Sequence, residues 1–226
     1  MPALLDLPAL PDLATRTPLW LSVVTVAVNA LVGALHGMDD QRRWDVVGVS
    51  VFALLMGLGG GFVRDVLLGN LPAESLRSPR YVVTVLVAVV LAYAVGRPVR
   101  RLRPLMAVLD TVALGLFAVT GTAYAVERGL PVTSAVLVGT VSAVGGGMLV
   151  AVVRGEVPEV LQVGAPIALL AVLTCVVYLA VRPADPTAAA LVALVAALVA
   201  AYLARRLGLR TRPATPFRYR WQRRVG

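Results

Sequence analysis

No lysine occurs in the 226 residues, and cysteine and histidine occur once each, as Cys175 and His36. A lone thiol makes no intramolecular disulfide, and one thiol with one imidazole falls short of the ligand set of a structural zinc or an iron–sulfur cluster. A metalloenzyme is thereby excluded, and the chain is read as having no metal, no cofactor and no catalytic residues, not as an enzyme. Charge is scarce as well: Asp, Glu and Arg make up 15% of the chain against 59% apolar residues, with a mean hydropathy of +0.85. Soluble domains carry about 25% charged and 45–50% apolar residues, so this composition belongs to a membrane protein. All 21 basic residues are arginine, a bias that carries no mechanism. A net charge of +9 would point to nucleic acid in a soluble chain. Here most arginines sit beside apolar runs, which speaks for membrane orientation and against a nucleic-acid partner.

What the chain does have is seven long stretches almost free of charge: 18–37, 46–63, 81–96, 104–126, 130–153, 160–181 and 186–204. Each reads as a spanning helix, since about 20 residues at 1.5 Å rise cross a core of about 30 Å. The shortest, 81–96, reaches about 24 Å, and Arg77, Arg80 and Arg97 can snorkel over the difference. The opening MPALLDLPALPDLATRTP lacks a basic start and is broken by Pro2, Pro8 and Pro11, so it does not read as a signal peptide. With seven spans, one set of loops (38–45, 97–103, 154–163 and the tail after residue 204) holds fifteen arginines and the other set five. The positive-inside rule then puts the N-terminus outside and the C-terminus in the cytoplasm. The tail RRLGLRTRPATPFRYRWQRRVG also suits a surface of anionic lipid.

One internal repeat stands out. GLGGGFVRDVLLGNLP (57–72) and AVGGGMLVAVVRGEVP (143–158) align at an offset of 86, which places Gly59, Gly60, Gly61, Gly69 and Pro72 on Gly145, Gly146, Gly147, Gly155 and Pro158. The repeat unit is three helices, an odd number, so the second copy enters the membrane from the opposite side. The expected fold is all-α: seven transmembrane helices as an inverted repeat of three plus three with one appended helix. Its parts are a Pro-rich segment 1–17, a first repeat 18–103, a second, inverted repeat 104–185, a seventh helix 186–204 and an Arg-rich cytoplasmic tail 205–226. Inverted repeats of this kind mark transporters and channels. Contiguous glycines cost about 1 kcal/mol each against alanine in a helix interior. They point either to kinks lining a path or to close packing of the GxxxG kind. Neither triplet is a phosphate loop, because the GxGxxG register ends on Phe62 and no GK[ST] follows.

Charges inside apolar runs need partners, at about 2.5 to 3.5 kcal/mol each on the lenient insertion scale. Arg64 and Asp65 directly follow the first triplet, and Asp110 lies six residues past Pro104. Adjacent helical positions point about 100° apart, so a mutual Arg64–Asp65 pair calls for local unwinding, and other helices or water are equal candidates as partners. A cavity holding all three groups would lean towards cations. His36 and Trp44 read as interface residues and Cys175 as core.

The paired triplets, with GGGFVRDVLLGNLP before the run that starts at Tyr81 and RGEVP after the second triplet, resemble a bacterial family of duplicated three-helix membrane proteins. That family is similar to the trimeric intracellular cation (TRIC) channels. The resemblance covers about residues 18–204 and implies a homotrimer in the bacterial plasma membrane, in contact with lipids and passing monovalent, potassium-type cations through one pore per protomer. It further implies a pore lined by the second and fifth spans, kinked at Gly59, Gly60, Gly61, Gly145, Gly146 and Gly147, with Arg64 and Asp65 near the path; Asp110, as the other charge deep within an apolar run, joins them as a candidate pore or gating charge. The second repeat departs from the pattern with Val150 and Ala151 in place of an Arg-Asp pair, and Ser22 stands where an acid is common. A transporter of a small zwitterion such as glycine is the alternative, since an interrupted helix offers N–H groups to a carboxylate and Asp65 or Asp110 can meet an ammonium.

Overall fold

The computed structural model of the chain describes residues 19–39, 44–101 and 103–212. The Pro-rich segment 1–17, arginines 42 and 43 and the tail past residue 212 lie outside the described residues. Among those described are eight α-helices: α1 (Leu19–Asp39), α2 (Val46–Leu67), α3 (Glu74–Arg77), α4 (Pro79–Arg101), α5 (Arg103–Glu127), α6 (Val132–Arg154), α7 (Ile167–Val181) and α8 (Pro186–Arg206).

The chain is an all-α, multi-span membrane protein, but the expected seven spans in a three, three and one arrangement do not form. Among the described residues five helices are long and apolar enough to cross a membrane, namely α1, α2, α5, α6 and α8. The apolar part of α4 is only Pro79–Val95, α7 is only Ile167–Val181, and α3 is four residues long. The reasons are local. Stretch 160–181 reads as one uncharged run, yet Glu159–Leu161 is a 3-10 turn and helix resumes only after Pro166. Its 15 residues extend about 22 Å. Stretch 81–96 continues without a break into arginine-bearing helix as far as Arg101, a long helix with a short apolar part. Uncharged runs track composition, whereas the helix boundaries follow proline, glycine and capping groups.

Those capping groups are visible at three ends. Asp45 Oδ1 accepts from Gly48 N at 2.8 Å ahead of α2. Asp185 Oδ1 accepts from Thr187 N at 2.6 Å and Ala188 N at 2.8 Å ahead of Pro186, an acceptor followed by a proline that needs none. Gly155, at φ 68°, closes α6 in the left-handed conformation.

Helix α1 packs on α2, α4 and α5, while α5 packs on α6, α7 and α8, and α2 meets α6 across the middle. One apolar cluster joins Val26, Ala30, Val49, Ala53 and Val85 of α1, α2 and α4. A second joins Leu116, Val119, Tyr178, Ala189 and Ala193 of α5, α7 and α8. In lipid the driving force between helices is close contact of small residues, and α8 supplies it with Ala189, Ala193, Ala197 and Ala201, all buried at spacing four. Between α5 and α6 the fit is tighter: a Cβ on Gly139 would lie 2.1 Å from Thr122 Oγ1 and 2.8 Å from the Ala118 carbonyl. Gly139→Ala should therefore cost about 1–3 kcal/mol and lower the melting temperature in detergent, whereas Gly164→Ala, with nothing within 4 Å, should not. Equal melting of the two variants would contradict this approach of α5 to α6.

Candidate functional site

The charges expected to share one cavity lie at opposite ends of the bundle. Arg64 and Asp65 occupy the last turn of α2, which stays wound to Leu67. The expected unwinding is not needed, because the arginine is long enough to curl back. Its Nη2 lies 2.7 Å and its Nε 2.9 Å from Asp65 Oδ1, with both residues buried. Asp65 Oδ2 accepts from the Glu74 backbone N–H at 2.8 Å, tying α3 to α2. The Glu74 carboxylate accepts from the Tyr81 hydroxyl at 2.8 Å and from the Tyr124 hydroxyl, and its Oε2 is 3.6 Å from Arg64 Nη2. The Arg64 guanidinium lies over the Tyr124 ring at 3.8 Å, a cation–π contact that gains from desolvation.

The glycine triplets face each other where α2 crosses α6. A Cβ on Gly60 would lie 2.3 Å from the Ser142 carbonyl, one on Gly59 3.2 Å from Gly146 Cα, and one on Gly146 2.8 Å from the Met56 carbonyl. Ser142 Oγ donates to the Gly60 carbonyl at 3.1 Å. A Cβ on Gly145 would make ordinary contact with Val63, one on Gly61 would lie 3.9 Å from Arg64 Nη2, and one on Gly147 would meet nothing within 4 Å. Both helices are continuous through their triplets.

Gly147 borders a cavity of about 600 Å³ among α1, α5, α6 and α8, at the end where α1, α6 and α8 finish. Exposed Glu156, Glu159 and Arg205 form its mouth, and buried Asn29, Val32 and Gly33 its inner wall. On one side His36 Nε2 lies 2.9 Å from Asp110 Oδ1, each side chain about half exposed. Arg205 Nη2 donates to the Ala107 carbonyl at 2.9 Å and to Thr111 Oγ1 at 3.0 Å. Arg154 Nε meets Glu156 Oε2 at 3.2 Å. Three carboxylates, of Asp110, Glu156 and Glu159, and the guanidiniums of Arg154 and Arg205 share this lining, with the His36 imidazole set on Asp110. Val150 and Ala151 also line it. Cys175 is buried core, as its apolar setting suggested.

Asn29 closes the inner end by donating from Nδ2 to the carbonyls of Thr25 at 2.9 Å and Ala113 at 3.1 Å, a bridge from α1 to α5. One turn further along those helices, a void of about 30 Å³ borders Ser22, Thr25, Phe117 and Thr120 and reaches the Arg64, Asp65 and Glu74 cluster. Sequence reasoning found Arg64 and Asp65 but missed Asn29, Glu74, Tyr81, Tyr124 and Ser142. The available signal was weak: an acid isolated in a short connection, and polar residues inside apolar runs.

A family model described as Glycine transporter matches residues 19–97 and 107–183. A UPF0126 membrane protein of Deinococcus radiodurans is 37% identical over 142 residues, which are 63% of this chain and 65% of that protein. The UPF0126 inner membrane protein YadS of Escherichia coli is 33% identical over 144 residues, 63% of this chain and 69% of its own length. Among solved structures, the TRIC trimeric intracellular cation channel orthologue from Rhodobacter sphaeroides superposes with a TM-score of 0.75 at 26% identity, over 84% of this chain and 97% of that one. A second TRIC cation channel, solved to explain conductance, gives a TM-score of 0.74 at 26% identity over 87% of this chain and 96% of its own.

The buried cluster generates a stability test. Arg64→Leu strands the Asp65 carboxylate and should cost about 3–5 kcal/mol, read as a large drop in melting temperature in detergent. Arg64→Leu with Asp65→Leu removes both charges and should recover much of that loss. A double variant no more stable than the single one would mean that Arg64 does not serve to compensate Asp65.

Proposed function

This chain belongs to the UPF0126/TRIC-like family of bacterial multi-pass membrane proteins, and from that premise we propose that it is a passive channel for monovalent, potassium-type cations with one path inside each protomer. Its general function is transport across the membrane, not catalysis. The observation that carries the finer reading is the succession of two hollows within the protomer: the cavity of about 600 Å³ ends at Asn29, and the void of about 30 Å³ lies one helical turn beyond. In this reading α2 and α6 line the path, and their glycine triplets are its movable part. In the present state the path is shut where Gly60 meets Ser142 and where Arg64, Asp65 and Glu74 interlock. The carboxylates of Asp110, Glu156 and Glu159 in the cavity lining give cations a local attraction. Three protomers assemble, as the name of the channel relatives has it. The cavity faces the cytoplasm in this reading, because it opens where α1, α6 and α8 finish and the stretches that follow α1 and α8 in the sequence are rich in arginine.

A second reading, transport of a zwitterion such as glycine, draws on the description of the matching family model and on the one-ended cavity, a shape that alternating access uses. Recordings from purified protein in planar bilayers, paired with glycine uptake into liposomes, separate the two. Unitary currents far above a carrier's turnover select the channel, and saturable glycine uptake without such currents selects the carrier.

On the channel reading, Gly147→Leu should fill the path from a position with open space around it, cutting flux while melting temperature and assembly persist. Gly146→Leu should fail in assembly first, because its side chain meets the backbone of α2. Asp110→Asn should lower the preference for cations over anions. Normal currents through fully assembled Gly147→Leu would remove the path from this wall.

For assembly and orientation, mass measurement in native lipid should give a trimer, and a stable monomer or dimer would count against it. In intact cells with Cys175 replaced, an impermeant thiol reagent should label a cysteine placed at position 2 and spare one at position 226. Labelling at 226 would reverse the orientation.

A further inference from the structure

Ser22 and Ser75 are each more than nine-tenths buried, and neither hydroxyl has a hydrogen-bond partner among the described residues. Both border the void of about 30 Å³ beside the Arg64 cluster. An unsatisfied buried hydroxyl costs about 1–3 kcal/mol, so two on one void mark a place made for an occupant. The volume fits one small particle.

The chemistry of the walls says which. Thr25 and Thr120 spend their hydroxyl protons on the carbonyls of Leu21 at 2.7 Å and Leu116 at 2.9 Å, so the lone pairs of their oxygens are what they retain. The carboxylates of Asp65 and Glu74 add further oxygens. Most donors in reach are already engaged: Arg64 bonds Asp65, while the Tyr81 and Tyr124 hydroxyls bond Glu74, which leaves the Ser22 and Ser75 hydroxyls as the free ones. Formally, two carboxylates against one guanidinium leave one negative charge. Arg80 and Arg128 stand off from the cluster, over the rings of Tyr81 at 5.6 Å and Tyr124 at 5.3 Å. The hydroxyls alone would serve water or an ion, and what favours a monovalent cation is the uncompensated negative charge beside this wall of hard oxygen atoms. Among the described residues no group of three His, Cys, Asp or Glu could hold a metal ion, so the site lacks the charge that a divalent ion calls for.

We propose that the void bordered by Ser22, Ser75, Thr25, Thr120 and Glu74 is a binding site for one dehydrated monovalent cation, held at the closed end of the protomer. The inference rests on the cation-channel reading and deepens it by placing a resting site along the path. It is an equilibrium property, so it is tested apart from flux.

Rubidium serves as the probe. Crystals grown in rubidium chloride should show an anomalous peak in coordination contact with the Ser22 and Ser75 hydroxyls. The melting temperature of the purified protein should rise with rubidium at constant ionic strength, with N-methylglucamine making up the balance. Ser75→Ala and Ser22→Ala each remove one neutral ligand and should weaken this dependence roughly three- to tenfold. Glu74→Gln keeps the shape, drops the charge and should abolish it. Water alone in the void at high rubidium would overturn the proposal. So would a rubidium dependence unchanged in all three variants. Cation currents with no such binding would leave the channel and remove the site, whereas binding with no current would keep the site and remove the channel.

Discussion

Everything in this bundle depends on how closely the backbones of α2 and α6 approach. Where Gly60 meets the Ser142 carbonyl, a Cβ would stand only 2.3 Å from that oxygen, so no other residue type fits without a shift. Glycine in a helix gives up about 1 kcal/mol against alanine. The return is a contact between backbones that lipid tails cannot imitate, reinforced by the Ser142 hydroxyl on the Gly60 carbonyl. Two apolar clusters, one around α1, α2 and α4 and the other around α5, α7 and α8, are drawn together at this crossing and at the Asn29 bridge. The large cavity and the small void lie on either side of it. A wider crossing would merge them, and one closed by larger side chains would separate the helix pairs.

The two ends of the protomer handle charge in opposite ways. At the cavity mouth His36 pairs with Asp110 and Arg154 with Glu156 at the edge of water, while Arg205 bonds the neutral Thr111; there each pair is worth little on its own and the set acts mainly through its net field. At the other end Arg64 and Asp65 are 6% and 1% exposed, and there every oxygen and nitrogen counts. A buried pair gives little net stability when complete, but a broken one costs about 3–5 kcal/mol. The second end is therefore ordered by the need to avoid a stranded charge, and the first by long-range potential.

Legibility followed the range of the interaction. The triplets could be read because their repetition lies in the sequence itself, and Arg64 and Asp65 because a charge beside glycines in an apolar run is conspicuous. Their partners could not be read. Tyr124 is fifty positions from Glu74, Asn29 is eighty-four from Ala113, and no local pattern joins them. The mutual Arg64–Asp65 bond was undervalued because helical angles describe Cα–Cβ vectors, whereas a guanidinium sits at the end of a long flexible stem. Asp110 was pooled with the other two because apolar runs give depth poorly and do not reveal that its partner is His36. The span count failed at α7 for a related reason: lack of charge between 160 and 181 says nothing of the non-helical stretch between Leu161 and Ile167.

The cluster also dictates what can move without severe loss. Separating Arg64 from Asp65 would leave an ion uncompensated in an apolar setting, at about the cost just given. Asp65 holds the Glu74 backbone, and Tyr81 at the start of α4 holds the Glu74 carboxylate. The end of α2, the short α3 and the start of α4 therefore form one body joined by charge-assisted bonds. What crosses from that body to α5 is different in kind: the Tyr124 hydroxyl on Glu74 and the Tyr124 ring beneath Arg64. These contacts can part without stranding a charge, since Arg64 keeps Asp65 and Glu74 keeps Tyr81. The seam of lowest cost at the closed end thus runs along Tyr124, beside the void and on the side where Phe117 and Gly60 meet. A displacement of α2 with α3 and α4 away from α5 would open the protomer there while every buried ion stayed paired.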